Sequence, residues 1–356
     1  MKLLQTMAGA EMGGAEAFFV RLAAAFARRG LDQHLVIRRD PARAHALRQA
    51  GIAPVELPFG SRMDFRTRPA LVREIERYRP DVVLAWMSRA AWATPAAKPP
   101  GAYTLVGRLG GYYDLRYYRH CDHLVANTDD IRQWMIAASW PSDRAHVLPN
   151  FVDPPAAGPI SRFGLDTPLD APLLVAAGRL HENKGFDVLL EALATLPGVW
   201  LWLAGEGPEG AALHRQAERL GVAGRVRFLG WRDDVPALMA AGDVYVCPSR
   251  HEPLGNVVLE AWAAGRPVVA ADVAGPGRLI EDGRTGLLVP AGDAAALAAA
   301  IADLLMDRPR AAVLAAAGKA AWERDYTEAV VVDRWLEFLA TLMRRGASLD
   351  GAGPSR

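Results

Sequence analysis

The chain has 356 residues, 51% apolar and 23% charged, an ordinary globular composition at a length that exceeds one comfortable core, so two domains are expected. It carries 41 Lys+Arg against 40 Asp+Glu for a net charge of +1, with no basic block or nucleic-acid motif, so nucleic acid is not an expected partner. Two cysteines and eight histidines show neither a disulfide framework nor zinc spacing, and no run of eighteen uncharged apolar residues offers a membrane span.

The first residues, M-K-L-L-Q-T-M-A-G-A-E, read as a strand over Leu3–Met7 rather than a signal segment. Gly13 and Gly14 follow and open a helix over Ala15–Arg29, where adjacent glycines let a backbone approach a ligand and the helix end adds N–H donors. Further strands are expected at His34–Ile37, Pro54–Leu57, Val82–Trp86, Tyr103–Gly107, His123–Ala126 and His146–Leu148, with a helix at Pro69–Tyr78. The tyrosine- and arginine-rich run Tyr112, Tyr113, Arg116, Tyr117, Tyr118, Arg119 either binds an acceptor, lies on a membrane surface or packs as an ordinary helix. Residues 1–153 hold 21 Lys+Arg and 15 Asp+Glu, a balance of +6, and the remainder balances to −5. A basic first half suits an anionic acceptor or anionic lipid headgroups at an inner-membrane surface.

Five prolines between Phe151 and Pro172 mark a linker, and domains are expected at 1–160 and 161–327. The strand–helix alternation restarts at Leu173–Ala177, Trp200–Ala204, Val226–Leu229, Val244–Cys247, Val268–Ala271 and Leu287–Val289. Two tandem Rossmann-like α/β halves predict a cleft where the C-terminal ends of both parallel sheets meet. Residues 294–318 are Ala-rich but spaced as helix. A last helix at 328–346 precedes a tail, 347–356, expected to be disordered.

Two segments of the second half carry charge in an informative pattern. In Ser249–Ala270 a buried helix begins near Leu254, Gly255, Asn256 and Val257, with its free N–H groups and positive dipole end suited to an anion. Glu252 lies just outside it and Glu260 one turn inside, on the face of Asn256. One carboxylate can reach sugar hydroxyls and the other ribose hydroxyls, with phosphates between. In Val175–Leu190 a strand ends at Gly178, and Arg179 and Lys184 follow at the sheet edge, well placed for a diphosphate. The chain has 4 lysines against 37 arginines, which gives Lys184 added weight.

The pair Glu252 and Glu260 resembles the E-x7-E signature of glycosyltransferase family 4, and Gly178-Arg179-Leu180 with Lys184-Gly185 matches that family's G-R-L…K-G block. Asn150-Phe151-Val152-Asp153 resembles its N-G-V-D block, and Phe228-Leu229-Gly230 precedes Trp231 and Arg232, where the family flanks the nucleotide base. The resemblance implies a GT-B fold and a retaining enzyme that moves a hexose-type sugar from a nucleotide donor to a hydroxyl of a cell-surface glycan or lipid-linked acceptor, as in lipopolysaccharide or exopolysaccharide assembly. It also implies no cofactor: Arg179 and Lys184 replace a metal ion, Glu252 orients the donor sugar, Glu260 grips ribose, and the last helix crosses back to the first domain. The cysteine usage and the lack of a span lead to the expectation of a cytoplasmic protein, and the basic first half to that of docking on an anionic inner leaflet. One departure stands out. Where many members carry a sugar-contacting His-Gly pair, this chain has Leu109-Gly110, leaving Arg108 or Tyr112 as substitutes. Three alternatives are weighed: a sugar-nucleotide epimerase or phosphorylase on the same fold, whose acid groups or pyridoxal lysine no motif shows; a nicotinamide-dependent oxidoreductase using the G-x-G-x-x-G run Gly205–Gly210; and a non-catalytic partner subunit of a glycan pathway.

Overall fold

A computed structural model describes residues 1–10, 13–60, 64–95, 102–156 and 158–350, with the backbone alone for 344–350. The chain divides into two compact units, Met1–Asn150 with Glu328–Arg356, and Phe151–Thr327. The division falls ten residues before the boundary expected at 160/161. The proline-rich stretch is not free there: Val152 N donates to Tyr326 O at 3.0 Å, Trp322 Nε1 to Val152 O at 3.0 Å, and Ile160 N to Ala237 O at 3.2 Å. These bonds tie the segment into the second unit.

In the first unit the described strands are β1 (Lys2–Met7), β2 (Asp32–Arg38), β3 (Val55–Leu57), β4 (Val82–Trp86), β5 (Thr104–Leu109), β6 (His123–Ala126) and β7 (Ala145–Val147). They form one parallel sheet in the order β3-β2-β1-β4-β5-β6-β7. Strands so arranged are covered on both faces and read as continuous apolar runs, as the fully buried Val82–Trp86 does. The chain leaves β1 toward β2 on one side and returns to β4 on the other, so the loops after β1 and β4 diverge at the switch point of the sheet. Trp86 is central: its Nε1 donates to Gln5 Oε1 at 3.0 Å, and Phe19 meets it edge-on at 5.2 Å. The helix Gly14–Arg28 supplies Phe18, Phe19, Leu22 and Phe26 to this core.

Glu328–Asp350 is one helix and belongs to this first unit. Trp335 is fully buried and meets Phe26 edge-on at 6.3 Å, and Arg28 pairs with Glu328 at 2.5 Å. The helix runs past the end expected at 346 and takes in 347–350, which corrects the reading of those residues as disordered tail; 351–356 lie outside the described residues.

The second unit repeats the plan with β8 (Leu173–Ala177), β9 (Trp200–Ala204), β10 (Val226–Phe228), β11 (Val244–Cys247), β12 (Val268–Ala271) and β13 (Leu287–Val289), parallel in the order β10-β9-β8-β11-β12-β13. Its switch point lies between β8 and β11. Trp262 anchors the helix Asn256–Ala263 by donating from Nε1 to Thr285 O at 3.0 Å, so its large apolar surface is buried with the polar tip satisfied. The Ala-rich stretch is helical, as its spacing predicts: Ala294–Met306 and Arg308–Asp325 meet at Asp307, and Asp293 and Asp307 each accept a backbone N–H at 2.9 Å as N-caps. The strands expected in both halves recur with ends shifted by at most two residues. β2 gains most, running from Asp32 to Arg38, and in β5 Arg108 and Leu109 pair with Val125 and Ala126 beyond Gly107.

Candidate active site

The loops after β8 and β11 hold the charged residues singled out by sequence, at the edge where an open α/β sheet binds ligands. Lys184 Nζ donates to Glu252 Oε2. Glu252 is 8% exposed, so its charge is sheltered from solvent and the ammonium compensates it. The lysine stem crosses Gly178: a Cβ there would lie 3.4 Å from Lys184 Cε. Arg179, next in chain, is exposed, and no carboxylate pairs with it among the described residues.

Glycines bring these loops together because backbone fits where a side chain would not. Gly185 has φ +64° and a Cβ there would stand 2.1 Å from Pro248 O; Gly275 would carry one 2.5 Å from Glu252 O. Three bonds reinforce the seam, as Arg250 N and His251 N both donate to Asn183 O at 2.8 and 3.1 Å, and Gly275 N donates to Glu252 O at 2.7 Å. Arg250 also forks onto Asp187 at 2.7 and 2.6 Å. Burial opposes the Asp187 charge, and the Arg250 fork overcomes it and holds that carboxyl below its usual range. Asn183, Arg250, Asp187 and Gly275 escaped the sequence reading. Asn183 lies inside the Lys184 block, and Gly275 in the A-G-P-G run after β12, a close-packing signal that went unread.

Gly255 caps the helix Asn256–Ala263 in the left-handed region, φ +68°, and its N–H donates to Glu252 Oε1 at 3.4 Å. Leu254, Asn256 and Val257 surround that helix start, half-buried. Glu260 is half-buried one turn further along. Its charge and that of Glu252 both reach Tyr245, whose hydroxyl is pushed well up, first by burial and then by Cys247, Glu260 and Glu252. Burial, with the Glu252 charge next, likewise raises the Cys247 thiol to about 11. The two glutamates therefore share one electrostatic neighbourhood under the β11 edge.

The G-x-G-x-x-G run has a structural explanation. A Cβ at Gly205 would lie 1.9 Å from Gly178 O, and one at Gly207 2.3 Å from Leu180 O. Leu180 N donates to Glu206 O at 2.9 Å and Gly178 N to Ala204 O at 2.9 Å. These glycines seat one loop against the Arg179 loop. Trp231 is 61% exposed with its N–H donating to Glu206 Oε1 at 3.3 Å. Arg232 is engaged by Asp234 through two bonds of 2.7 and 2.5 Å, so its guanidinium is committed to that carboxylate.

In the first unit, Gly13 makes room for a neighbouring side chain: a Cβ there would be 2.3 Å from Glu16 Oε2, and Glu16 Oε1 accepts from Ala10 N at 2.9 Å. Gly14 faces open space. The two substitutes considered for the missing histidine are also committed. Arg108 is buried between Phe18 and Trp86, 4.9 and 4.5 Å from their ring centres, and donates to Asn150 Oδ1 at 2.5 Å. Burial pushes its guanidinium down to about 9. Tyr112 donates to Asp130 and packs edge-on to Trp134 at 5.6 Å. Tyr118 is core, whereas Tyr113 and Tyr117 line a cavity of about 510 Å³.

Two tandem parallel α/β units with a cation–carboxylate pair at the switch point of the second define a GT-B glycosyltransferase. Residues 12–155 match the family model described as Glycosyltransferase Family 4, and 171–307 match that of Glycosyl transferases group 1. The chain belongs to glycosyltransferase family 4. It is 40% identical to the lipopolysaccharide core biosynthesis glycosyltransferase LpsE of Rhizobium meliloti, over 92% of this chain and 96% of that protein. With LpsD of the same organism, a second lipopolysaccharide core biosynthesis glycosyltransferase, identity is 35% over 95% and 97%. Among solved structures, HepE of Anabaena in complex with UDP superimposes with a TM-score of 0.83 at 26% identity, covering 96% of this chain and all of that one. HepE with UDP and glucose gives 0.80 at 27%, with the same coverage. Family membership sets aside the oxidoreductase and the non-catalytic subunit.

Proposed function

We propose that the enzyme transfers a hexose-type sugar, with retention, from a nucleotide-sugar donor held by the second unit to a hydroxyl of a lipopolysaccharide core or related cell-surface glycan. The observation that carries this reading is the Lys184–Glu252 pair beside the amino end of the helix Asn256–Ala263. Lys184, Arg179 and the helix-end amides offer positive potential for a leaving diphosphate, and Glu252 and Glu260 offer acceptors for hydroxyls. The acceptor oxygen would bond to the anomeric carbon as its bond to the diphosphate breaks, on the same face, with the hydroxyl proton passing to the departing phosphate oxygen. The lipopolysaccharide acceptor rests on the names of LpsE and LpsD, and the donor on the UDP and glucose bound to HepE.

Nucleotide-sugar screening tests the donor, with UDP-sugars first: a donor raises the melting temperature because it binds the native state, and turnover with it releases the nucleoside diphosphate. Failure of every nucleotide sugar to bind would overturn the reading. Activity in excess chelator is expected, since side-chain cations and amides carry the phosphate charge; loss that manganese or magnesium restores would show that a metal does so.

Membrane docking belongs to the same proposal. Among the described residues no helix is long and apolar enough to cross a membrane. The +6 balance of residues 1–153 and a cavity lined by Arg39, Phe65, Arg66 and Arg73, with Phe65 81% exposed, support contact with an anionic leaflet, each basic residue adding about 1 kcal/mol. Binding to anionic vesicles that falls with salt is expected, and equal binding to neutral vesicles would count against it.

A further inference from the structure

We propose that the second unit carries a binding site for a small amphipathic carboxylate, an acyl chain with a charged head, at the sheet edge opposite the candidate active site. The site is a cavity of about 240 Å³ beside Asp243 and Pro267, the residues that lead into β11 and β12. Lys184 and Glu252 follow the far ends of β8 and β11, so the two sites are separated by the length of the strands. Pockets that hold drug-sized ligands measure about 300–1,000 Å³, so the occupant here is a smaller molecule. Its walls are mostly apolar. Leu304 and Leu305 close the helix Ala294–Met306, and Ala311 and Ala315 stand on the first turns of Arg308–Asp325, their short side chains leaving the gap open.

The charge in this cavity is positive. Arg266 and Arg308 both line it. Arg266 sits just past the carboxyl end of the helix Asn256–Ala263, where its N–H donates to Ala261 O at 2.9 Å. Its Nη2 donates to Ala240 O at 2.5 Å, and its buried Nε has no partner among the described residues. Arg308 is exposed and, among the described residues, pairs with no carboxylate. The neighbouring acids are engaged elsewhere. Asp243 pairs with Arg162 at 3.1 Å and accepts from Leu173 N at 2.8 Å. Asp303 pairs with Arg310, and Asp307 accepts from Arg310 N at 2.9 Å. Burial pushes the Arg266 guanidinium down, Asp243 opposes this only in part, and Arg162 pushes the same way as burial. A carboxylate beside Arg266 would offset both. Apolar walls next to cations whose neighbouring acids are already taken match a molecule with an apolar body and one planar anionic head. An uncharged chain would leave the guanidinium groups unanswered, and a bare anion would leave the leucines uncovered.

Ligand-detected NMR titration of the full chain with octanoate, 1-octanol, acetate and UDP tests this. Octanoate is expected to bind at least about tenfold more tightly than 1-octanol, the worth of one charge-assisted hydrogen bond. It should exceed acetate by about fourfold for each methylene buried. Arg266→Gln and Arg308→Gln should each bring octanoate toward octanol and leave octanol within about twofold. Ala312→Trp, at an exposed position on the cavity wall, should weaken both by filling the space. Arg308 and Ala312 are exposed, so these two variants should keep the parent's melting curve. They decide the outcome even where Arg266→Gln, which gives up the bond to Ala240, fails to fold. Saturating UDP should leave octanoate bound. Octanol or acetate binding as tightly as octanoate, octanoate affinity unchanged in both Arg308→Gln and Ala312→Trp, displacement of octanoate by UDP, or no octanoate binding would each overturn the proposal.

Discussion

Lys184 and Glu252, 68 positions apart in the chain, are joined by an ammonium–carboxylate hydrogen bond at the edge of one sheet. The sequence suggests separate duties for them, phosphate and sugar. The structure makes each the counter-ion of the other, so a bound diphosphate would compete with Glu252 for the lysine. Lys184→Ala and Glu252→Gln should each slow turnover by about a hundredfold or more, the scale of one transition-state donor. The double variant should lose clearly less than the product of the two. Strict multiplicativity in a double-mutant cycle would show that the pair is not a functional unit.

Arg179 provides the contrast, being exposed and outside that pair. Arg179→Ala should leave stability within about 0.5 kcal/mol and still slow turnover by about a hundredfold. A variant with full activity would remove Arg179 from the phosphate role.

The two glutamates should separate under titration with nucleoside diphosphate alone. Glu252→Gln should retain nucleotide binding with turnover lost, because it acts on the sugar. Glu260→Gln should weaken nucleotide and nucleotide sugar alike, through ribose. The opposite pattern would reverse the assignments.

Much of this was legible in the sequence because short continuous apolar runs and glycine punctuation report local geometry. Val82–Trp86 and Val268–Ala271 were readable to the residue. Arg179 with Lys184, and Glu252 with Glu260, were readable because each of the two blocks is contiguous in the chain. What lay hidden needed distance. Nothing near Glu16 says that Gly9 and Gly13 close around it, and nothing near Gly205 says that Gly178 O fills the space of its missing side chain. Arg38 and Arg89 likewise line one cavity only because β2 and β4 both flank β1.

Glycine substitutions should divide by what surrounds each position. Gly221 has φ +69° with nothing within 4 Å, so Gly221→Ala should lower stability by about 1–2 kcal/mol, the left-handed penalty alone. Gly185 has nearly the same φ but faces Pro248 O at 2.1 Å. Gly185→Ala should cost at least about twice as much, because backbone must move. Chemical denaturation measures both, and equal losses would show that the seam between the two loops yields freely.

Acid should reveal Asp64. Burial raises its pKa, but the Thr67 hydroxyl and the N–H groups of Gly60, Thr67 and Arg66 overcome that and bring it from 3.8 to about 2. A carboxyl with a lowered folded-state pKa stabilises fully above its unfolded value and loses that contribution as pH falls through the folded one. Stability should therefore drop between about pH 4 and pH 2, and Asp64→Asn should flatten that part of the curve. An unchanged acid limb in the variant would show that the loop hydrogen bonds do not discriminate the charge.

The loops around Lys184 and Glu252 meet main chain to main chain, at Gly178 with Gly205, Leu180 with Gly207, Pro248 with Gly185, and Glu252 with Gly275. A site framed in this way keeps its shape whatever side chains are hung on its rim. An exposed position such as Trp231 can change size and polarity while the cations stay where they are. Descendants of this chain can thus exchange one substrate for another through a few rim replacements, and a mutant library aimed at new specificities should vary those positions and leave the glycines untouched.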